Sequence, residues 1–496
     1  MSLIDETRSV LTEARDALAG SPAGTEIEVL LDRLNGPLRV AIAGRVKAGK
    51  STLLNALVGS HLAPTDAREC TRIVTWYRNG QTYGATALLR TGASESLAFE
   101  FADDEFAVSL GDLAIDDIHA LHVFWPSREL EATTLIDTPG VGSMTPDAAA
   151  RSHEFLGGGG QEAEADAVLY LMKHLHGTDL DLLSAFHDEE VSHPNPVNAI
   201  GVLSRADEVG SGRADAMDSA ATVAARIANE PPVRRLVSTV VPVCGLLAET
   251  AATLREREYR LLAAVAALPT DERRIGLLSA DRFRTLDGVP GLEPADRESL
   301  LGRFAMFGLR ASIAAIGGGA APSSTDLARL LTRLSGIENV RRLLDTVFAE
   351  RGDVLKARSA LVSLGAALDR AGNHPAVADL ERRLEQVLAS AHEIAELRAL
   401  GTLRLDAVPA EGDILAEAER LVGGSGRAPA RRLGMLDTSQ HDQLLAEAQR
   451  KLGEWQRRAE HPLSGADLVS LCRVVIRSCE GMISSLLSEP ASPTTF

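Results

Sequence analysis

GRVKAGKS, at residues 44–51, has the pattern G-x-x-x-x-G-K-S of a phosphate-binding loop. An apolar run over residues 38–43 precedes it and suits a buried parallel strand, and residues 51–57 read as the start of a helix. Strand, turn and helix N-terminus together direct backbone N–H groups and the positive end of a helix dipole at an anion. The stretch therefore predicts a nucleoside triphosphate site, the alternative being a chance glycine-containing turn.

The loop supplies most of the predicted nucleotide contacts. In this geometry Lys50 reaches the β- and γ-phosphates, and the Ser51 hydroxyl is a ligand for Mg²⁺. The predicted contacts within the loop and the first helical turn are Gly44, Lys47, Ala48, Gly49, Lys50, Ser51 and Thr52.

A second apolar strand ends in the turn TTLIDTPG, residues 133–140. An aspartate at the end of a strand beside the phosphate loop can hold Mg²⁺ through a water, which assigns that role to Asp137. Gly140 would offer its N–H to the γ-phosphate from a loop that changes shape when the phosphate leaves. The alternative is an ordinary strand-to-turn junction.

A third strand, residues 197–203, runs into Ser204-Arg205-Ala206-Asp207. Guanine presents two adjacent donors, which one carboxylate accepts in a charge-assisted pair, whereas adenine has no such donor pair. Asp207 is therefore predicted to select GTP over ATP, with Ser204 beside it and the flat guanidinium of Arg205 along the base. The alternative for these four residues is a surface turn.

A fourth strand reads VVPVCG, residues 240–245, and ends in small residues. The backbone at Val243 and Cys244 is predicted to close over the base near O6. A buried strand without ligand contact is the alternative.

These motifs, taken in order, resemble the dynamin superfamily and specifically its bacterial dynamin-like branch. The similarity covers about residues 37–350 and rests on GRVKAGKSTLLNALVG, LAPTDARECTRIVTWYRNG, LIDTPGVGS, SRADE and VVPVCG. Chain length and the segment RFAMFGLRASIAAIGGG, residues 303–319, are similar to those of the isoniazid-inducible actinobacterial dynamin-like proteins.

The resemblance implies a GTPase that works with GTP/GDP and Mg²⁺. It implies that Thr71 closes over Mg²⁺ and the γ-phosphate, so the metal ligands would be Ser51, Thr71 and Asp137, and the catalytic group Lys47, Lys50, Thr71 and Gly140. It also implies peripheral membrane binding, remodelling or fission, and a link to envelope stress or drug tolerance. Expected partners are a second copy, through the GTPase domains, or a paired dynamin-like protein.

One departure from the family concerns hydrolysis. Dynamins place a polar Gln and Ser inside the phosphate loop, and the aligned residues here are Val46 and Lys47. Val46 cannot orient a water, while Lys47 can supply positive charge to the transition state. We therefore expect a low intrinsic rate.

Composition excludes several classes of protein. The chain has 496 residues, with 51 basic and 69 acidic side chains and a net charge of −18. This sign argues against nonspecific nucleic-acid binding and restricts any contact with anionic lipid to a local element. Four cysteines without C-x-x-C spacing fit a reduced cytosol. The N-terminus lacks a secretory pattern and no run of 18 apolar residues occurs, so we expect a cytoplasmic protein. The family resemblance implies that it is peripheral at the inner face of the cell membrane.

The predicted fold class is α/β plus α, a P-loop GTPase with a doubly wound, mostly parallel sheet and a helical bundle neck or stalk. Its predicted parts are N-terminal neck helices (1–36), the GTPase domain (37–352) and a helical neck or stalk (353–496) with a possible membrane-contacting loop. The patterns behind this division are helical apolar stripes at both ends of the chain.

Two segments are candidates for membrane contact. Residues 300–316 are apolar and read as either an interfacial helix or a core helix. The loop at residues 423–436 carries Arg427, Arg431 and Arg432 beside apolar residues, and reads as either a lipid-contacting tip or a hairpin connection.

Three functions are compatible with these patterns. The leading one is a dynamin-like GTPase that hydrolyses GTP to drive membrane association, remodelling or fission. The second is a weakly hydrolysing regulatory or scaffold partner of another dynamin-like protein. A small-GTPase-like switch is disfavoured by the long helical extension.

Overall fold

A computed structural model of the chain describes a sheet and a set of helices. The described residues are 2–60, 62, 73–102, 105–139, 165–173, 180, 198–209, 212–348, 351–372, 374–404, 408 and 410–488.

Ten strands form one sheet in the described part of the chain. They are β1 Leu38–Gly44, β2 Val74–Asn79, β3 Gly84–Leu89, β4 Ser94–Ala102, β5 Glu105–Ser109, β6 Ile118–Trp125, β7 Thr133–Asp137, β8 Ala167–Met172, β9 Ala199–Ser204 and β10 Val240–Val243.

The strand order is β10-β9-β8-β1-β7-β2-β6-β3-β4-β5. Pairing is parallel from β10 to β7, antiparallel between β7 and β2, and parallel between β2 and β6. The remaining strands, β3 to β5, pair antiparallel because residues 90–93 and 103–104 make connections too short for a crossover. The α/β fold class is confirmed, with a larger antiparallel share than predicted.

The central strands are buried on both faces, which explains their continuous apolar sequences. Every residue of β8 and β9 is buried, as is nearly all of β1. Because these strands are parallel, their carboxyl ends lie at one edge of the sheet, where a doubly wound fold binds its ligand.

The helices fall into two groups by sequence position. Those that precede, interrupt or immediately follow the sheet are α1 Leu3–Ala17, α2 Pro22–Asn35, α3 Lys50–Val58, α4 Ala216–Ala228, α5 Pro231–Arg234, α6 Gly245–Ala252, α7 Glu256–Ala266, α8 Thr270–Gly276, α9 Ala280–Arg284, α10 Pro294–Gly317, α11 Ser324–Ser335 and α12 Ile337–Leu343. The C-terminal ones are α13 Gly352–Ala371, α14 Val377–Ser390, α15 His392–Arg404, α16 Gly412–Leu421, α17 Pro429–Leu433, α18 His441–Ala459 and α19 Ala466–Ser488.

The two ends of the chain share one hydrophobic core. Buried residues of α1 and α2, such as Leu11 and Ile27, belong to the same cluster as Leu364 of α13, Trp455 of α18 and Val475 of α19. The two faces of the sheet are covered by separate clusters, and α6 to α11 form a further one. The N-terminal helices therefore pack with the C-terminal helices, in what we call the helical bundle.

Helix α10 contains the apolar segment at residues 300–316. Among the described residues it is the one helix long and apolar enough, by length and composition, to cross a membrane. Leu300, Phe304, Phe307 and Ile313 are nevertheless buried in the α6–α11 cluster. The structure thus favours the core-helix alternative over an interfacial helix.

Candidate nucleotide-binding site

The phosphate loop starts where β1 meets β8. Gly44 ends β1 with a φ of 147°, and a Cβ there would lie 2.4 Å from the carbonyl oxygen of Leu171 in β8. Only glycine fits this approach. Gly49 caps α3 in a left-handed conformation, and Lys50 is the first helical residue. The predicted strand, turn and helix are therefore present, with the N-terminus of α3 at the carboxyl edge of the sheet.

Lys50 and Asp137 lie close together behind the loop. The Lys50 Nζ donates to the carbonyl oxygens of Gly44 and Arg45, at 3.4 and 3.5 Å. Burial lowers the pKa of Lys50, and the negative charge of Asp137 opposes that shift. Burial likewise raises the pKa of Asp137, although Lys50 and Ser51 act in the opposite direction. Each charge therefore has little water around it and depends on the other.

The same corner fits a magnesium ion. The Ser51 hydroxyl donates to Oδ2 of Asp137 at 3.1 Å. The other oxygen, Oδ1, is buried and has no hydrogen-bond partner within the described part of the chain. Hydroxyl and carboxylate oxygens are the ligands that Mg²⁺ prefers, so this donor set suits the ion. Thr71 and Gly140, the other two residues predicted here, lie outside the described residues.

The predicted guanine-reading carboxylate lies just past the end of β9. Arg205 has a positive φ of 54°, which turns the chain into a short 3₁₀ helix that carries Asp207. Asp207 is 9% exposed. The Cys244 thiol hydrogen-bonds to it, and burial together with the Asp207 charge raises the pKa of Cys244 well above its usual value. A thiol that stays protonated is a donor, so Cys244 can donate to this carboxylate.

A cavity of about 280 Å³ joins the phosphate loop to this carboxylate. Its lining brings together predicted residues from three of the four motifs. They are Ala48, Gly49, Thr52, Ser204, Arg205, Asp207 and Val243. Gly44, Lys47, Lys50, Ser51, Asp137 and Cys244 are predicted site residues outside this lining. The roles of all these residues stay predictions.

Arg205 connects the two halves of the site. Its guanidinium donates to the Lys47 carbonyl oxygen at 3.2 Å and pairs with Glu208 at 3.0 Å. Lys47 itself has a positive φ of 64°. Contacts to the Lys173 and Arg205 side chains outweigh burial and lower the pKa of Glu208, which keeps the Arg205 pair charged. The phosphate loop and the guanine motif are therefore linked before any ligand binds.

Sequence reasoning did not assign seven of the fourteen lining residues to the site, and three of these seven differ in how they could have been found. Glu208 follows the guanine motif directly, and Leu246 follows Gly245 in the first turn of α6. The third, Ala305, comes from the middle of α10. The first two adjoin recognised motifs, whereas the sequence around Ala305 carries no signal of a ligand site.

For Arg432 the structure favours the hairpin-connection alternative over the lipid-contacting tip. Arg432 lies in the short helix α17 and is 7% exposed. Its Nε donates to the Leu421 carbonyl oxygen at 2.8 Å, and its Nη2 pairs with the carboxylate of Glu396. Leu433, also predicted at this tip, is buried. Leu436, the last residue of the same loop, is 76% exposed.

Comparison with known proteins gives this site its class. The model of the Dynamin family matches residues 40–174, which include the phosphate loop and Asp137. Together with the guanine motif on a doubly wound sheet, this match defines a dynamin-family GTPase, as predicted.

The chain is 39% identical over 500 residues to the isoniazid-induced protein IniC of Mycobacterium tuberculosis, and the alignment covers 98% of this chain and 99% of that protein. It therefore belongs to the bacterial dynamin-like proteins of the IniC type, which confirms the resemblance drawn from its motifs.

Two further relatives align over shorter stretches. Dynamin-like protein 2 of Campylobacter jejuni is 31% identical over 127 residues, covering 25% of this chain and 20% of that protein. The bacterial dynamin-like protein of Nostoc punctiforme is 28% identical over 149 residues, covering 28% and 20%. These partial alignments agree with membership of the dynamin family.

Proposed function

We propose that this GTPase converts GTP binding and hydrolysis into movement of its helical bundle, and that this movement drives membrane association, remodelling or fission. The observation that carries the proposal is a buried ion pair between Arg33 of α2 and Asp166, which immediately precedes β8. The Arg33 Nη2 lies 3.3 Å from Oδ1 of Asp166 and donates to the Ser359 hydroxyl of α13 at 2.6 Å. The pair links the bundle to a strand whose far end lines the nucleotide cavity.

We propose that residues 1–36 and 353–496 act together as the neck or stalk, and residues 37–352 as the GTPase unit. The shared hydrophobic core of α1, α2 and the C-terminal helices supports the first unit. The sheet with its own clusters supports the second.

Within the site, Ser51, Thr71 and Asp137 would hold Mg²⁺, which supplies charge neutralisation between the β- and γ-phosphates. Lys50 would bind the phosphates, and Gly140 would sense the γ-phosphate through its N–H. Lys47, exposed on the loop, would bring positive charge toward the phosphates in place of the polar residues of other dynamins. Oδ1 of Asp137, which has no hydrogen-bond partner among the residues that the structure describes, supports this assignment.

The proposed location is the inner face of the cell membrane, where the chain would act peripherally. The relative from Mycobacterium tuberculosis is named for its induction by isoniazid, and this supports a role in envelope stress or drug tolerance. We further propose that the chain pairs with a second copy through its GTPase units or with another dynamin-like protein.

A turnover assay tests the GTPase mechanism. We expect phosphate release to depend on Mg²⁺ and to rise more than linearly with protein concentration if GTPase units pair. Lys50→Ala should abolish GTP binding, because it removes the cation that faces the phosphates, while the melting temperature stays that of wild type. GTP affinity within a few-fold of wild type in this variant would show that the phosphate-loop assignment is wrong.

Vesicle sedimentation tests the membrane part. We expect wild type to sediment with phosphatidylglycerol-containing vesicles, and Leu436→Ser and Leu463→Ser to sediment less, because these leucines are 76% and 88% exposed at the two ends of α18. Leu278→Ser is the matched control, since Leu278 is 62% exposed between α8 and α9, within the GTPase unit. Equal sedimentation of all variants would exclude these leucines as the contact.

A second function, a weakly hydrolysing regulatory or scaffold partner, is favoured by Val46. This residue is 44% exposed in the phosphate loop, where an apolar side chain cannot orient an attacking water. If wild type binds GTP but neither turns it over nor sediments with vesicles at any protein concentration, the scaffold function replaces the mechanochemical one.

A further inference from the structure

Helix α10 is interrupted at the point where it reaches the nucleotide cavity. Ala305 has φ 48° and ψ −176°, a backbone conformation that residues with a side chain rarely adopt. The same residue lines the nucleotide cavity together with residues of the phosphate loop and the guanine motif. Strained backbone of this kind persists only where the surroundings hold it, and it concentrates at ligand sites.

Contacts on the N-terminal side of the interruption hold α10 in place. The Thr250 hydroxyl of α6 donates to the Arg303 carbonyl oxygen at 2.5 Å, which gives that oxygen a partner from outside its own helix. The Arg303 guanidinium pairs with Glu258 of α7 at 2.5 Å. Helix α6 also contributes Gly245 and Leu246 to the cavity lining. The same helix therefore contacts the interruption in α10 and forms part of the cavity wall.

Contacts on the C-terminal side of the interruption also hold α10 in place. Arg310 donates to the carbonyl oxygens of Gly212, Leu277 and Leu278, at 2.8, 2.9 and 2.8 Å. Gly212 lies shortly after the guanine motif in the chain. Phe304, next to the interruption, is 1% exposed. Ala305 therefore cannot withdraw from the cavity by sliding the helix.

We propose that Ala305 is a specificity-determining wall of the guanine pocket. Its methyl group is the smallest side chain that still presents an apolar surface, and it completes the apolar lining from Leu171, Val202 and Val243 around the carboxylate of Asp207. The wall sets the space left for the base, while Asp207 reads its edge. A longer side chain at position 305 fills this space and excludes the base without touching the phosphate loop. The inference rests on the proposed placement of guanine beside Asp207.

The test compares ligands with and without a base. Affinities for GTP, GDP and inorganic tripolyphosphate are measured for wild type, Ala305→Leu and Ala305→Gly by calorimetry and competition. Ala314→Leu is the matched control, because Ala314 is exposed on the same helix. We expect Ala305→Leu to lose at least tenfold in GTP and GDP affinity and to keep tripolyphosphate affinity within twofold. Ala305→Gly, which removes the backbone strain, should bind GTP within threefold of wild type, as should Ala314→Leu.

Each result has a distinct meaning. GDP affinity within twofold of wild type in Ala305→Leu overturns the wall assignment, and so does an equal loss of tripolyphosphate, which reports damage to the whole site. Ala305→Ser is a smaller change that separates the two causes. If this variant binds GDP as tightly as wild type does, it confirms that the wall assignment is overturned. If wild type binds tripolyphosphate but neither guanine nucleotide, the failure belongs to the proposed GTP site rather than to Ala305.

Discussion

Asp207 illustrates how one buried carboxylate is prepared for a ligand. It is 9% exposed, and the protonated Cys244 thiol is its neighbouring donor. Removing a carboxylate from water is unfavourable unless donors replace the water. One donor comes from the protein, and guanine would supply two more through N1–H and the N2 amine.

Replacing this carboxylate predicts a change of base preference. Asp207→Asn exchanges an acceptor for a donor that faces the donors of guanine, so GTP affinity should fall roughly tenfold to a hundredfold. Xanthosine triphosphate has an acceptor at the same edge and should bind better to the variant than to wild type. Calorimetry with both nucleotides measures the switch. An unchanged preference for GTP would remove Asp207 from base reading.

At the scale of single residues, local motifs could be recognised from the sequence and tertiary partners could not. Lys50 and Asp137 follow from a strand-turn-helix pattern, because the geometry of that unit brings the ends of neighbouring strands together. Arg432 reads as a free arginine in a glycine-rich loop, yet its partner Glu396 lies on another helix. No sequence motif surrounds Ala305, because its proposed role depends on a strained backbone conformation inside an apolar helix.

Among the elements, α15, α17 and α19 are joined by a buried polar network. Glu396 accepts from the Ser478 hydroxyl at 2.6 Å and pairs with Arg432, and His392 lies 3.4 Å from the same carboxylate. Burial by itself raises the pKa of Glu396, but His392, Arg432 and Ser478 together lower it from 4.5 to about 2. The carboxylate is therefore charged in the folded protein across the neutral and mildly acidic range.

Neutralising this carboxylate should destabilise the bundle. Glu396→Gln leaves the buried Arg432 without its counter-charge, and the expected loss is about 3–5 kcal/mol in the free energy of unfolding at pH 7. Because the folded pKa lies below the unfolded one, the stabilisation from ionised Glu396 is present above about pH 4.5 and is lost as pH falls toward 2. The gap between wild type and variant should therefore narrow in acid.

Denaturant unfolding at pH 7 and pH 3.5 checks this expectation. Glu385→Gln is the control, since Glu385 is exposed on α14 and should change stability by less than about 0.5 kcal/mol. A Glu396→Gln variant as stable as Glu385→Gln at pH 7 would contradict a stabilising role for the network.

The elements themselves were only partly predictable. Continuous apolar runs mark β1, β8 and β9, because parallel strands are buried on both faces. Strands β3 to β5 pair antiparallel, lie between the motifs in the sequence and alternate polar and apolar residues only weakly. The prediction of a mostly parallel sheet therefore understated the antiparallel share. Helical stripes at both ends of the chain predicted helices, but which of them share a core emerges only from the packing.

Across the whole molecule, two neighbouring strands run from the bundle contact to the nucleotide site. In β1, Arg39 lies near the start and Gly44 at the end, roughly 16 Å apart at the usual rise of a strand. In β8, Asp166 directly precedes the first residue and Leu171 lies next to Gly44. Asp166 accepts from the Arg39 backbone N–H at 2.9 Å and pairs with Arg33 of α2, so one buried carboxylate joins sheet and bundle.

Removing the contacts that bundle residues make to this region, while leaving Asp166 in place, should preserve nucleotide binding and abolish the movement of the bundle. Arg33→Met with Lys356→Met removes the pair to Asp166 and the 3.2 Å hydrogen bond from Lys356 to the Gly36 carbonyl oxygen, while Asp166 keeps Arg39 as its partner. GTP affinity should therefore stay within twofold of wild type.

We expect small-angle scattering to show different radii of gyration for wild type with GDP and with a non-hydrolysable GTP analogue, and the same radius for the double variant with both. Arg15→Met, at a half-buried arginine of α1 whose side chain pairs locally with Asp16, is the control and should behave as wild type. If the double variant keeps the wild-type difference in radius of gyration, the coupling does not pass through the Arg33–Asp166 pair. If wild type itself shows no difference, the proposed coupling is wrong, because a nucleotide shifts an equilibrium only by its differential affinity for the two states.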